Sequence, residues 1–220
     1  MIVVYKNFFR NKMVNLSVQS IRKFVPASRV ICLCLYKESP DEYLNQEPLH
    51  SSIEVVYQQT QFVNTNNQIQ DHIDFTKTSG YQNIDNGKYF VEGYNYIYNM
   101  FSSSTEKILI LSEDHFFTTG EVLNEVLVND FDLAYAAWDS DTDANGSIIC
   151  CRFSELKNIF PLMLPQEPIE RFLEKSLVLK VDPKRRYRIY NRKHLNYFGD
   201  GLYTNSSEVM QRELKQAKIL

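Results

Sequence analysis

The stretch Lys107-Ile108-Leu109-Ile110-Leu111, followed at once by Ser112-Glu113-Asp114-His115-Phe116-Phe117, decides how the rest of the chain is read. An unbroken run of branched apolar residues is the pattern of a strand covered on both faces, as in a parallel sheet flanked by helices. Two carboxylates and an imidazole stand directly at its end. In open α/β sheets, ligands bind where loops leave the carboxyl ends of the strands. Unpaired charge at such a place is costly, so something is expected to neutralise it.

Working outward, strands and helices alternate. Residues 2–5 are short and β-branched, a first strand. Val14, Val18, Ile21 and Val25 recur at helical spacing, and Pro26 closes that helix. Residues 29–36 form a second buried strand, ended by Pro40 and Asp41, and residues 53–57 a third. Residues 58–88 are polar and lack periodicity. Phe90, Tyr94, Ile97, Tyr98 and Phe101 then mark one helix face, and Val122, Leu123, Val126 and Leu127 another. Residues 131–138 and 147–153 read as strands joined by a polar hairpin with Asn145-Gly146 as its turn. A short helix follows Pro168, and a last helix covers about 207–217. Such alternation predicts one α/β domain over residues 1–220, a mainly parallel sheet with helices on both faces.

The composition fits a packed globule. Of 220 residues, 44% are hydrophobic, 13% aromatic and 23% charged, and the net charge of −3 gives no general drive toward nucleic acid or anionic lipid. No run approaches the ~18–20 apolar residues of a membrane helix. The first residues lack the basic and apolar regions of a secretory signal, so the expected location is cytoplasmic. Cys32 and Cys34, and the adjacent Cys150 and Cys151, have neither zinc-ligand nor redox-motif spacing and are expected to be reduced core residues.

Carboxylate oxygens at a strand end suit Mn²⁺ or Mg²⁺, with phosphate oxygens and water completing the shell. Leu111-Ser112-Glu113-Asp114-His115-Phe116-Phe117 resembles the strand-end variant of the DxD motif of GT-A glycosyltransferases, in the Glu-Asp-His-aromatic form of N-acetylglucosaminyltransferase II-like enzymes. The size is similar to that of the small GT-A enzymes of large DNA viruses such as chlorella viruses. The resemblance implies a GT-A-like fold, the nucleotide-diphospho-sugar transferase arrangement of a mixed, mainly parallel sheet flanked by helices. It implies metal-dependent transfer of a sugar from a UDP-linked donor to a hydroxyl of a glycan or glycoprotein. Asp114 would bind the Mn²⁺ (or Mg²⁺) beneath the diphosphate, supported by Glu113 or His115. The end of the first strand (Val4, Tyr5, Lys6), Tyr36, Ser112 and Glu113 would frame the nucleotide, with Arg10 as a phosphate contact.

A second window, Tyr197-Phe198-Gly199-Asp200-Gly201, resembles the late Gly-Asp segment that closes many GT-A sites. A His often adds a metal ligand there. Here the position before Gly-Asp is aromatic and the nearest His is His194, so the second ligand is His194, Asp200 or neither. Residues 194–204 are expected to fold over the diphosphate. Carboxylates at the start of the late helix, Glu167 or Glu170, are candidates for the base that deprotonates the acceptor. Trp138 and Asp139 are candidates for the acceptor side.

Other readings are weaker. Asp141-Thr142-Asp143-Ala144-Asn145-Gly146 opens like an EF-hand loop, but Arg152 stands where a bidentate Glu is required. The basic residues between Lys180 and Lys193 suit a solvated face, phosphate neutralisation or RNA. A sugar-nucleotide nucleotidyltransferase is an alternative, although the first glycine is Gly80 and no N-terminal Gly-rich phosphate loop exists. A non-catalytic binding module on the same scaffold is another.

Overall fold

The computed structural model of the chain describes residues 1–62, 84–137, 144–167, 169–189 and 206–220. Seven strands form one sheet: β1 (Ile2–Asn7), β2 (Arg29–Tyr36), β3 (Glu54–Gln59), β4 (Ile108–Ser112), β5 (Leu133–Ala137), β6 (Ala144–Cys151) and β7 (Arg186–Ile189). Their order across the sheet is β3-β2-β1-β4-β6-β5-β7. The β1–β2, β1–β4, β2–β3 and β5–β7 pairs are parallel, whereas β6 runs antiparallel to both β4 and β5. The sheet is therefore mixed and mainly parallel, as the alternating pattern predicts.

Among the described residues there are five α-helices, α1 (Asn11–Phe24), α2 (Ile84–Phe101), α3 (Glu121–Val128) and α4 (Ile169–Ser176) on the sheet and α5 (Ser207–Gln216) against α1. Alternate residues of the buried strands feed two cores. Ile2, Val4, Ile108 and Ile110 join Val91, Ile97, Phe172 and Leu173 on the α2–α4 face. Val3, Tyr5, Leu109 and Leu111 join Val14, Val18, Ile21, Val122 and Leu123 on the α1–α3 face. The near-continuous apolar strands follow from this, because both faces must be apolar. Lys107, just ahead of β4, ties the strand to α3. Its ammonium donates to the carbonyls of Val126, Leu127 and Asn129, each at 2.7 Å, where the helix end leaves acceptors unpaired.

Chain direction sets up the site. From β1 the chain passes through α1 to β2 on one side, whereas β4 joins β1 on the other. From the adjacent carboxyl ends of β1 and β4 the chain leads away to opposite sides of the strand order, through α1 to β2 and through α3 to β5, and in open α/β sheets such a reversal is where a ligand crevice lies. β1 is one turn of pleat longer than read from sequence, so it carries Lys6 and Asn7 to that edge.

Two local expectations are corrected. Asn145 and Gly146 lie within β6, not in a turn; β5 and β6 do pair antiparallel, but Ala137 stands opposite Ala144, so the connection is residues 138–143. The basic stretch contains a strand, β7, whose Arg-Tyr-Arg-Ile alternation suits a sheet edge, where charge discourages further pairing. Trp138, Asp139, His194 and Asp200, and the fold-back expected of 194–204, lie outside the described residues. Among the described residues no helix is long and apolar enough to cross a membrane. All four cysteines are buried and free.

Candidate active site

The junction of the β1 and β4 ends gathers the buried charge of the described residues. Lys6, Arg10, Glu113, Asp114 and His115 are all buried there, Lys6 at 1% exposure, Glu113 at 2% and Asp114 at 8%. The register explains the meeting: Lys6 stands opposite Ser112, the last residue of β4, so the following Glu113 and Asp114 emerge beside the end of β1.

Each member is held in place. Ser112 O accepts the His115 N–H at 3.2 Å, turning the chain tightly after β4. The His115 carbonyl accepts a short hydrogen bond from the Ser17 hydroxyl, which also lies 2.7 Å from the Tyr5 hydroxyl. Ser20 Oγ accepts the Phe117 N–H at 3.2 Å. Ser17 and Ser20 sit on the buried face of α1, beside Val14, Val18 and Ile21. These two hydroxyls therefore anchor the backbone on both sides of Phe116, whose ring packs with Met13, Met210 and Leu214 under α5.

The loop after β1 is fixed in a similar way. Asn7 Oδ1 accepts the Arg10 N–H at 3.0 Å, and Asn7 Nδ2 donates to Asn11 Oδ1 at 2.7 Å. The Tyr43 hydroxyl lies 2.7 Å from Asn7 O and 2.9 Å from Leu35 O, donating to one of them, and accepts the Phe9 N–H at 3.2 Å. Phe9 takes a positive φ of 58°, uncommon for a bulky residue. Its ring packs against Tyr43 at 4.6 Å and Phe8 at 4.5 Å, which offsets such strain.

Lys6 extends from the sheet over α2. Its Nζ lies 3.7 Å from the Phe90 ring centroid and 4.2 Å from that of Tyr94, both faces giving cation–π attraction. Gly93 permits the approach, since a Cβ there would come 3.2 Å from Lys6 Cδ. Burial lowers the Lys6 pKa, and the nearby Glu113 and Asp114 oppose that. Glu113 moves the other way. Burial, then repulsion from Asp114, raise it to about 7, against the pull of Arg10 and Lys6. The Arg10 Nε is 4.0 Å from Glu113 Oε1, an ion pair at the long end of contact. Asp114 Oδ1 is 2.7 Å from His115 Nδ1, so the imidazole orients this carboxylate. Two carboxylates, Glu113 and Asp114, thus face two cations, Lys6 and Arg10, in one buried cluster.

The chain is similar in structure to glycosyltransferases. One is the galactosyltransferase LgtC in complex with donor and acceptor sugar analogs, at 12% identity and a TM-score of 0.49, with 86% of this chain and 73% of LgtC covered. Another is GlyE of Streptococcus pneumoniae, at 12% identity and a TM-score of 0.48, with 89% of this chain and 46% of that one covered. No family model matches the sequence, and neither does any curated protein.

The other residues singled out from sequence are placed as follows. Val4 and Tyr5 pair on both sides within the sheet and point into the two cores, whereas Lys6, Arg10, Ser112 and Glu113 reach the crevice. Tyr36 ends β2, at the same edge of the sheet and half-buried. Glu167 precedes α4, and its carboxylate accepts from Lys175 Nζ at 2.7 Å. Glu170 lies in the first turn of α4. Arg185 pairs with Asp130 and Asp132, below the amino end of β5 and thus at the opposite end of the sheet from Glu113, out of reach of a phosphate there. Sequence reading passed over Ser17, Ser20 and Tyr43. For the two serines the only signal was a pair of polar residues at i, i+3 on an otherwise apolar helix face.

Proposed function

We propose that the chain transfers a sugar from a nucleotide-sugar donor, UDP-linked, to a hydroxyl of a glycan or glycoprotein. The observation that carries this reading is the buried Glu113–Asp114 pair at the strand ends where the strand order reverses, faced by Lys6 and Arg10 from the neighbouring strand end. The Glu-Asp-His-aromatic resemblance supports the same assignment.

The donor set fits a divalent cation of the Mn²⁺ or Mg²⁺ kind. Among the described residues no three His, Cys, Asp or Glu side chains converge as a complete protein cage. One or two carboxylates with phosphate oxygens and water suffice for such an ion. Asp114 would hold it, being the more exposed carboxylate and already oriented by His115, a partner of the kind that fixes metal ligands. The bound ion would neutralise charge on the departing diphosphate. His194 or Asp200 stays the proposed second ligand, and Trp138 with Asp139 the proposed acceptor side, on sequence grounds.

The chain's own residues supply the rest. Arg10 offers its guanidinium to the phosphates, and Lys6 adds a fixed positive field from beneath. The acceptor oxygen bonds to the anomeric carbon as the bond to the diphosphate breaks and UDP departs. In an inverting reaction the acceptor proton passes to Glu167 or Glu170. The buried walls exclude water that would otherwise compete for the sugar.

Calorimetric titration of UDP tests the reading. Binding is expected in Mn²⁺ and should weaken at least tenfold in EDTA or in Asp114→Asn. Equal affinity with and without the metal would remove the basis for the proposal.

A further inference from the structure

Tyr89, in the second turn of α2, is 1% exposed, and its hydroxyl has no hydrogen-bond partner among the described residues. A buried phenol left unsatisfied is costly, and native structures rarely tolerate this without a use. The ring cannot turn away from its surroundings. It meets Phe8, just beyond β1, edge-on at 5.7 Å, and Phe90 edge-on at 5.8 Å. Phe90 in turn lies under the Lys6 ammonium. Tyr89 is therefore wedged into the same corner as the end of β1 and the acidic tip of β4. The charged groups that act on it are those of the site: after burial itself, Glu113, then the β2 thiol of Cys32, then Asp114 raise its pKa, and Arg10 lowers it. The hydroxyl thus stays protonated and remains a donor.

We infer that Tyr89 is a donor-binding residue whose hydroxyl gives its hydrogen bond to an oxygen of the nucleotide sugar seated between β1 and β4. This rests on the function proposed above and assigns that site a contact at the face opposite Arg10 and His115's anchor on α1. The α2 face supplies a neutral donor beside two carboxylates. Such a group can approach ligand oxygen without adding charge to a cluster in which Lys6 and Arg10 already oppose Glu113 and Asp114. The acceptor is an oxygen of the diphosphate or of the attached sugar, and the two sources are separable by ligand.

Tyr89→Phe removes the hydroxyl alone and keeps the ring contacts. Two measurements then point in opposite directions for a ligand contact and for a structural one. Thermal melting of the ligand-free variant should match or exceed that of the unaltered protein, because an unsatisfied group has been deleted. Affinity for UDP or for UDP-glucose in Mn²⁺ should fall about tenfold, as for a lost hydrogen bond to a charged or strongly polar acceptor. A fall for both ligands assigns the bond to the diphosphate, and a fall for UDP-glucose alone assigns it to the sugar. Unchanged affinity for both overturns the inference, and so does a lower melting temperature with unchanged affinity, which would reveal a protein partner. If the unaltered protein binds neither ligand, the proposed function itself fails and the inference falls with it. The melting comparison would still report whether the hydroxyl is satisfied within the protein.

Discussion

Glu113 shows how position in the sheet rewrites an ordinary carboxylate. In an unfolded chain it titrates near 4.5; in the folded protein, burial and then Asp114 raise it to about 7. Below about 4.5 both states hold the proton, and folding gains nothing from the difference. Between about 4.5 and about 7 the unfolded chain releases the proton and the folded one keeps it, so folded-state stability falls as pH rises through this window. In EDTA, denaturant melts should therefore show stability declining from acid toward neutral pH. Glu113→Gln should flatten that decline, on the order of a few kcal/mol across the window. A variant with the same pH slope as the parent would contradict the assignment. Asp114, one residue on, is oriented by His115 and opens further to the mouth, so adjacent carboxylates have different surroundings.

At the scale of elements, α1 does more than cover the sheet. Its apolar stripe fills one core, and Ser17 and Ser20 within that stripe hold the loop that carries the acidic tip. Replacing Ser17 with Ala leaves the His115 carbonyl and the Tyr5 hydroxyl without that partner. A loss of about 1–3 kcal/mol in stability is expected. A loosened loop should also cost metal-dependent UDP affinity several-fold, because Asp114 and His115 would no longer be preset. Chemical denaturation and calorimetry on the same sample check both. Lost stability with unaltered affinity would show that the loop holds its shape without α1. The β5–β6 hairpin teaches a different lesson. Asn145-Gly146 is a strong turn signal, yet both residues fall within β6, where its register with β5 shifts between Tyr135 and Ala137.

At the scale of the whole molecule, the two chain ends meet behind the site. α5 lies on α1, and Met210 and Leu214 bury Phe116 together with Met13. Phe116 follows His115 directly, so packing under α5 bears on the acidic tip. Leu214→Ala should destabilise the fold by roughly 2–4 kcal/mol through the cavity it leaves. It should also weaken Mn²⁺-dependent UDP binding, whereas Leu123→Ala, a comparable cavity under α3, should cost stability with less effect on binding. Equal binding losses from the two would show that α5 has no special coupling to the site.

The sequence by itself determined the order of the helices and of every described strand but β7, the buried character of β2 and β4, and the acidic tip at the end of β4. It could do so because apolar periodicity is local: a strand covered on both faces announces itself in consecutive residues. The same locality hid the rest. That Lys6 and Arg10 face Glu113 depends on β1 lying beside β4, 100 residues apart in the chain, with Lys6 in register with Ser112. The role of Tyr89 depends on what its ring is packed against, and that of Ser17 and Ser20 on a loop nearly 100 residues away. β7 was obscured because an edge strand rich in arginine lacks the apolar run that marks central strands. Tertiary structure alone decided these points, since burial, charge neutralisation and hydrogen-bond satisfaction are properties of neighbours in space.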